Sequence, residues 1–291
     1  MVAILVIMVI CVSTCVPNSQ GTLADDDLTL SVDQKVKLDE FNAIMSSRVP
    51  HEYMKSEIYL VPWLRVNDFN VDAATRALVT NFIWRDENKI DSILDEDWTE
   101  FNKDYRVNVE GCDMEGKPVI SLFVGEWNLR RAVVSGQSDK MLRFVDKLFE
   151  EAGLVVRNMQ KSGNNITRVQ FIIECLGMSV QQQLCPRCIP FLVHILEDSA
   201  RNPLMFTRFI FLNIPQYAVA VWNNIVGPLA PPGVADLVEL HGTNKEAWRD
   251  ILLKKHGIDV SKLSPDFGGD GPDSVDLETI KKNGHNYQCP K

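Results

Sequence analysis

Downstream of Gly111 the chain alternates short β-rich apolar runs with longer amphipathic stretches, and this alternation restricts its fold more than any other feature. Residues 118–124 (Pro-Val-Ile-Ser-Leu-Phe-Val), 167–175 and 206–214 are rich in β-branched and aromatic side chains and bounded by turn formers, which reads as buried strands. Residues 138–160 place Met141, Phe144, Val145, Leu148, Phe149, Ala152 and Val155 at spacings of three and four, so one face of a long helix is buried. Residues 186–199, 215–226 and 244–255 read as further helices, the second of them starting on proline, and 236–240 as a weaker strand. Strands separated by helices of this length predict an α/β fold with a largely parallel sheet and helices packed on it.

Upstream of the alternation the pattern is helical. Ser31 suits the N-cap of a helix to about residue 48, with Val32, Val36, Phe41 and Ile44 toward one side. A second helix is expected over about 51–66, where Pro62 removes a backbone donor and predicts a kink or break. Asn70 caps a third, on which Ala74, Leu78, Phe82 and Arg85 share a face, and a polar helix-compatible stretch covers 92–105. The organisation expected is therefore an N-terminal leader at 1–21, a helical segment at 22–105, an α/β domain at 106–269 and a polar tail at 270–291 with little to bury.

Charge narrows the partners. Thirty Lys and Arg against 39 Asp and Glu give a net charge of -9, with no basic cluster to neutralise a row of phosphates, so nucleic acid is excluded as a partner. The same balance disfavours adsorption to anionic lipid through charge and leaves transient membrane contact to apolar side chains. Residues 2–12 are almost wholly apolar and no charged side chain precedes Asp25, which reads as an export signal cut before Thr22. The run falls short of the roughly 20 residues a spanning helix needs, though it also suits a short uncleaved anchor. Asp25-Asp26-Asp27 would then be a solvated mature terminus. Localisation is expected to be secreted or in the secretory pathway. Asn165-Ile166-Thr167 is a glycosylation sequon in a polar stretch, which makes Asn165 the acceptor.

Of seven cysteines, Cys112, Cys175, Cys185, Cys188 and Cys289 follow the leader. The count is odd, so one thiol is free or intermolecular, and five are too few to replace a hydrophobic core. Cys185-Pro186-Arg187-Cys188 at a helix start has two readings: a local disulfide, or a thiol–disulfide exchange site. In thioredoxin-like folds that motif follows its strand almost immediately, and here nine residues separate Cys175 from Cys185, which favours the structural reading. A metal site joining these thiols to His194 lacks a fourth ligand. Dinucleotide and phosphate-loop glycine motifs, a Gly-x-Ser-x-Gly elbow and His-Glu-x-x-His are all missing, so no catalytic set, cofactor or metal is expected. Of the six tryptophans Trp222 stands apart: Tyr217, Ala218, Val221, Trp222 and Ile225 make the helix at 215–226 apolar on more than one face, and Gly227-Pro228 and Pro231-Pro232-Gly233 follow it. Such a helix either is deeply buried or covers a cavity that opens.

Five motifs in order resemble a known family. Tyr59-Leu60-Val61-Pro62-Trp63-Leu64-Arg65, continuing through Phe69-Asn70-Val71-Asp72 to Phe82-Ile83-Trp84-Arg85, is similar to the N-terminal helical segment of CRAL-TRIO lipid-binding proteins. Asp113-Met114-Glu115-Gly116-Lys117-Pro118-Val119 resembles the opening of their lipid-binding domain, Ile172-Ile173-Glu174-Cys175-Leu176-Gly177 its central strand, Phe209-Ile210-Phe211-Leu212-Asn213-Ile214-Pro215 its Asn-x-Pro strand end, and Ser264-Pro265-Asp266-Phe267-Gly268-Gly269 its terminus.

The resemblance implies a helical N-terminal bundle beside an α/β lobe whose sheet floors an apolar pocket closed by a gate helix, at about 215–235 here. One small lipid of sterol, tocopherol, retinoid or phospholipid class would lie inside, with no catalysis. It makes Phe171, Ile173, Cys175, Leu192, Phe209, Phe211, Ala218, Val221, Trp222 and Ile225 the candidate lipid-binding residues, each of which also suits plain core packing. Phosphatidylinositol-binding members carry a lysine before the proline of Lys-Pro-Phe-Leu; Gly227 stands there, Asn202-Pro203-Leu204 replaces Tyr-Pro-Glu, and Asn67 replaces an arginine. A buried phosphate without a cationic partner is costly, so these departures favour neutral lipids. The expectation is a secreted carrier of one hydrophobic molecule. Its rivals are a thiol–disulfide oxidoreductase using Cys185 and Cys188, and a ligand-free interaction protein with a collapsed pocket, which a volume far below roughly 300 Å³ would favour.

Overall fold

A computed structural model describes residues 28–201, 205–231, 233–272, 274–276, 279–280 and 289. The apolar run at 2–12, the expected cleavage position, Asp25-Asp26-Asp27 and Asn202-Pro203-Leu204 lie outside the described residues.

The N-terminal segment is a bundle of short helices. Helix α1 (Val32–Met45) starts at Ser31, whose hydroxyl accepts from the Gln34 N–H at 3.2 Å while Gln34 accepts from the Ser31 N–H at 3.0 Å. Its buried stripe is Leu38, Phe41 and Met45; Val32 and Val36, expected inward, face solvent. The break expected at Pro62 falls earlier: a 3₁₀ turn (Glu52–Lys55) ends at Ser56, and helix α2 (Glu57–Arg65) runs through the proline. Burial of Leu60, Val61, Trp63 and Leu64 outweighs the forfeited donor. Helix α3 (Val71–Glu87) is capped by Asn70, which accepts from the Ala73 N–H at 2.9 Å. A 3₁₀ turn (Ile90–Asp95) and helix α4 (Thr99–Asp104) lead into the lobe.

Among the described residues six strands form one sheet in the order β5-β4-β3-β2-β1-β6. Strands β2 (Pro118–Leu122), β3 (Val169–Glu174), β4 (Phe206–Leu212) and β5 (Val238–Leu240) are parallel, with Leu122 beside Ile173, Ile173 beside Phe211 and Phe211 beside Leu240. Strand β1 (Val107–Cys112) pairs antiparallel with β2 and was hidden in the sequence by Asn108, Glu110 and Gly111. Its inward Glu110 is satisfied by the Ser121 hydroxyl at 2.5 Å and the Ser264 N–H at 3.3 Å. The tail, expected only to be polar, contributes a second antiparallel edge strand, β6 (Val275–Asp276), and a disulfide from Cys289 to Cys112.

Helices cover both faces, which is why β3 and β4 read as continuous apolar runs. Odd-numbered side chains of β3 and β4, such as Phe171 and Phe209, face helix α6 (Ser138–Lys161) and helix α7 (Ile189–Arg201). Ile172, Ile210 and Leu212 pack instead with Trp248 and Leu252 of helix α9 (Lys245–His256). Two short helices complete the lobe: α5 (Leu129–Val134) after β2, and α8 (Gln216–Val221) after β4. Arg85 joins the bundle to the lobe, donating to both oxygens of Glu150 on α6 at 2.6 and 3.2 Å and to Asp91 at 2.9 Å.

Candidate functional site

The α6–α7 side of the sheet does not close completely. A cavity of about 100 Å³ remains between the sheet, the two helices and α8, and every described side chain lining it is apolar. Strand parity supplies the floor, because Leu122, Phe171, Ile173, Phe209, Phe211 and Leu240 fall on one face of neighbouring strands. The stripe on α6 supplies one wall through Met141, Val145, Leu148 and Phe149, and α7 another through Phe191, Leu192, Ile195 and Leu196.

The lid begins where β4 ends. Asn213 takes a left-handed backbone (φ 54°), which asparagine tolerates, and its amide donates to both carboxylate oxygens of Glu174 at 3.0 Å. This turn aims Pro215 and α8 back across the cavity mouth. Helix α8 then widens into a π turn (Trp222–Val226) followed by a 3₁₀ turn (Gly227–Leu229). A π turn spends an extra residue per bond, so the inward positions run Val221, Trp222 and Val226. Gly227 backs onto Trp222: a Cβ there would lie 3.0 Å from the Trp222 carbonyl oxygen and 3.3 Å from its indole.

The segment closes on α7 through a small apolar cluster, Leu196, Val226 and Val234, separate from the main core. The Tyr217 hydroxyl donates to the Met178 carbonyl and ties the lid to the loop after β3. The outer side of the lid is apolar too, with Ile225 46% and Leu229 57% exposed.

Of the ten residues picked out by the family resemblance, the structure brings together Phe171, Ile173, Leu192, Phe209, Phe211, Ala218, Val221 and Trp222 around the cavity. Ile225 is a correction, since the π turn rotates it outward and seats Val226 in its place. Cys175 is the other: it is buried, but that end is closed where the Cys175–Leu176 backbone meets Gly125, whose Cβ would stand 2.0 Å from the Leu176 oxygen. Burial pushes the Cys175 thiol well up, which makes it inert. The wall from α6 was legible as a buried stripe but carried no sign that it bounds a cavity.

Cys185 and Cys188 form a disulfide at the start of α7. Gln183 fixes that turn by donating to the carbonyls of Val124, Gly125 and Trp127, the last at 2.6 Å. With both sulfurs engaged, the metal site imagined with His194 has no thiolates. His194 instead bonds Asp146 on α6 at 2.9 Å beside Asp198, and these three bring ligand-type atoms within 4.8 Å of one another. Arg201 also donates to Asp198, so cations and carboxylates already pair there. Burial opposes charge on His194, yet Asp146 and Asp198 hold its pKa above the usual value; burial and the neighbouring Asp146 push Asp198 up. Asn165 is exposed in its loop.

A family model, the CRAL/TRIO domain, matches residues 102–269. Patellin-2 of Arabidopsis thaliana is 25% identical over 242 residues, covering 78% of this chain and 34% of that protein. Protein real-time of Anopheles gambiae is 26% identical over 168 residues, covering 56% of this chain and 24% of its own. The chain thus spans about a quarter to a third of the length of these relatives. The crystal structure of Sfh5 superposes with a TM-score of 0.61 over 88% of this chain and 98% of that one at 12% identity, a likeness of fold. The matched region holds strands β1 to β5, α6, α7, the lid and the cavity they enclose, and the chain belongs to the CRAL-TRIO family of lipid-binding and lipid-transfer proteins.

Proposed function

We propose that this protein is a non-enzymatic carrier that holds one small hydrophobic molecule between the sheet and the lid and exchanges it when the lid swings at a membrane. The observation that carries the reading is the cavity itself: its lining is wholly apolar, and its lid is built from a short helix, a π turn and a Gly-Pro turn held to α7 by a small satellite cluster. Lining of this kind binds by apolar burial, at about 25 cal/mol per Å². A volume of about 100 Å³ is below the roughly 300 Å³ of small-molecule sites, so loading requires the lid to move outward. Ile225 and Leu229 on its outer side give it apolar contacts for a bilayer surface.

We place the carrier in the secretory pathway or outside the cell. The apolar run at 2–12 supports export, and the pairs Cys112–Cys289 and Cys185–Cys188 suit an oxidising compartment. Glycosylation at exposed Asn165 belongs to the same proposal. Neutral lipids are the preferred class at the lid, where Gly227 leaves no side chain for a phosphate and backs onto Trp222.

The small volume favours a second reading, an interaction protein whose pocket has collapsed. Native mass spectrometry of the secreted protein, with organic extraction and N-terminal sequencing, separates the two. A one-to-one lipid supports the carrier and identifies its chemistry. Protein that holds none and takes none from mixed liposomes rejects it in favour of the collapsed pocket, or of disulfide exchange at Cys185 and Cys188 if insulin reduction shows turnover.

A further inference from the structure

A second cavity of about 130 Å³ lies between the N-terminal bundle and the lobe, with Tyr53, Tyr59 and Trp63 on one side and α6 on the other. Among the described residues three arginines line it, Arg85, Arg157 and Arg201, against one glutamate, Glu150. Arg85 is neutralised by Glu150 and Asp91, and Arg201 by Asp198. Arg157 has no salt bridge among the described residues; its guanidinium lies over the Tyr53 ring, 4.7 Å from the centroid.

The sequence of α6 makes room for that guanidinium. Gly153 stands one turn before Arg157 inside a 24-residue helix, where glycine is the costliest choice short of proline. A Cβ at Gly153 would lie 2.9 Å from Arg157 Nη1 and 3.3 Å from the Met205 sulfur. The missing side chain lets the arginine fold back along the helix into the cleft, in the direction helical side chains take.

Phe149, one turn further back, lines both this cleft and the apolar cavity. Its ring packs against Phe206 at 5.0 Å and Phe171 at 6.2 Å and forms the partition between the two spaces. From Phe149 to Arg157 is eight residues of helix, about 12 Å at 1.5 Å per residue, well within the reach of an extended alkyl chain.

We infer that the cleft is an oxyanion site divided from the apolar cavity by the Phe149 ring, which turns aside on loading, so that the cargo is an amphiphile whose chain lies on the sheet and whose single anionic end is held by Arg157. The inference rests on the carrier reading and narrows its ligand class. A guanidinium meets a carboxylate or a phosphate monoester through two parallel N–H donors, and both chemistries suit the site. The absence of a side chain at Gly227 then applies to the lid wall alone, which meets the uncharged chain of the cargo and not its anionic end.

The test measures dissociation constants of the full secreted protein for palmitate, cetyl alcohol and cetyl phosphate, which share one chain and differ in the end group. Palmitate or cetyl phosphate is expected to bind on the order of tenfold or more tightly than cetyl alcohol, and the tighter of the two names the source of the oxyanion. Arg157→Gln is expected to bring the anion-to-alcohol ratio down toward one, Arg157→Lys to leave an intermediate ratio, and Gly153→Ala to lower it by displacing the guanidinium. Thermal melts of each variant establish that it folds. An anion-to-alcohol ratio near one in the wild type, or a ratio that Arg157→Gln leaves in place, overturns the inference while the bound alcohol leaves the carrier reading standing. Failure to bind these probes by protein that takes other lipids from mixed liposomes also overturns it alone. Failure to take up any lipid overturns both.

Discussion

Replacing Arg85 by methionine tests whether the N-terminal bundle is fastened to the lobe by a buried ion pair. The guanidinium side chain is 8% exposed and that of its partner Glu150 11%, with N–O distances of 2.6 and 3.2 Å. Asp91 is the more exposed partner and is also held by His51 at 2.9 Å. Arg85→Met preserves most of the packing volume and leaves the largely buried Glu150 carboxylate without its ion-pair partner, a loss worth about 3–5 kcal/mol. For a chain of this size each kcal/mol moves the melting temperature by about 2–4 °C, so a drop of roughly 6–20 °C is expected by circular dichroism. The double variant Arg85→Met/Glu150→Met removes the orphaned charge as well and is expected to recover most of the loss, since an apolar pair of similar size replaces a buried ion pair at little cost. A single variant within about 1 kcal/mol of wild type would refute the reasoning, as would a double variant no more stable than the single.

Three further outcomes are expected. Ala218→Trp places a large ring in the cavity under the lid, at an overpacking cost of about 1–3 kcal/mol, and should cut lipid uptake from liposomes at least about tenfold while the protein still melts cooperatively; undiminished uptake places the lipid elsewhere. Glu239 is opposed by burial but held by Lys255 at 2.8 Å and His256 at 3.1 Å, which brings its pKa down from 4.5 to about 2. Because the folded-state value is depressed, its contribution is whole above pH 4.5 and is lost as the pH falls toward 2. Glu239→Gln should therefore flatten the acid limb of a melting-temperature profile, and an unchanged slope there contradicts the assignment. Cys289→Ser opens a disulfide closing a sequence separation of 177 and is expected to cost about 2–5 kcal/mol in non-reducing melts; no change means the tail's tie to β1 contributes nothing to stability.

Much of this architecture was written in local pattern. The stripe on α6, the capping signals at Ser31 and Asn70 and the double-sided apolar runs of β3 and β4 act over a few residues, so they could be read without the fold. They led to an α/β lobe with helices packed on its sheet, whereas the eight lining residues were named by the family resemblance and by no local pattern. Strand β1 was not legible, because Asn108 and Glu110 become acceptable inside a sheet only when Ser121 and Ser274 arrive from distant segments to bond them. The tail looked polar because its contribution is an edge pairing and one disulfide to Cys112, neither of which needs an apolar run.

The sequence by itself determined which segments are buried, since periodicity follows from backbone geometry alone. Tertiary structure decided which buried side chains pack solid and which face a cavity, because that depends on how far apart the sheet, α6, α7 and the lid are held. It turned Ile225 out and Val226 in through a single widened turn, closed the Cys175 end against Gly125, and left Phe149 as a partition between an apolar space and an arginine-lined one.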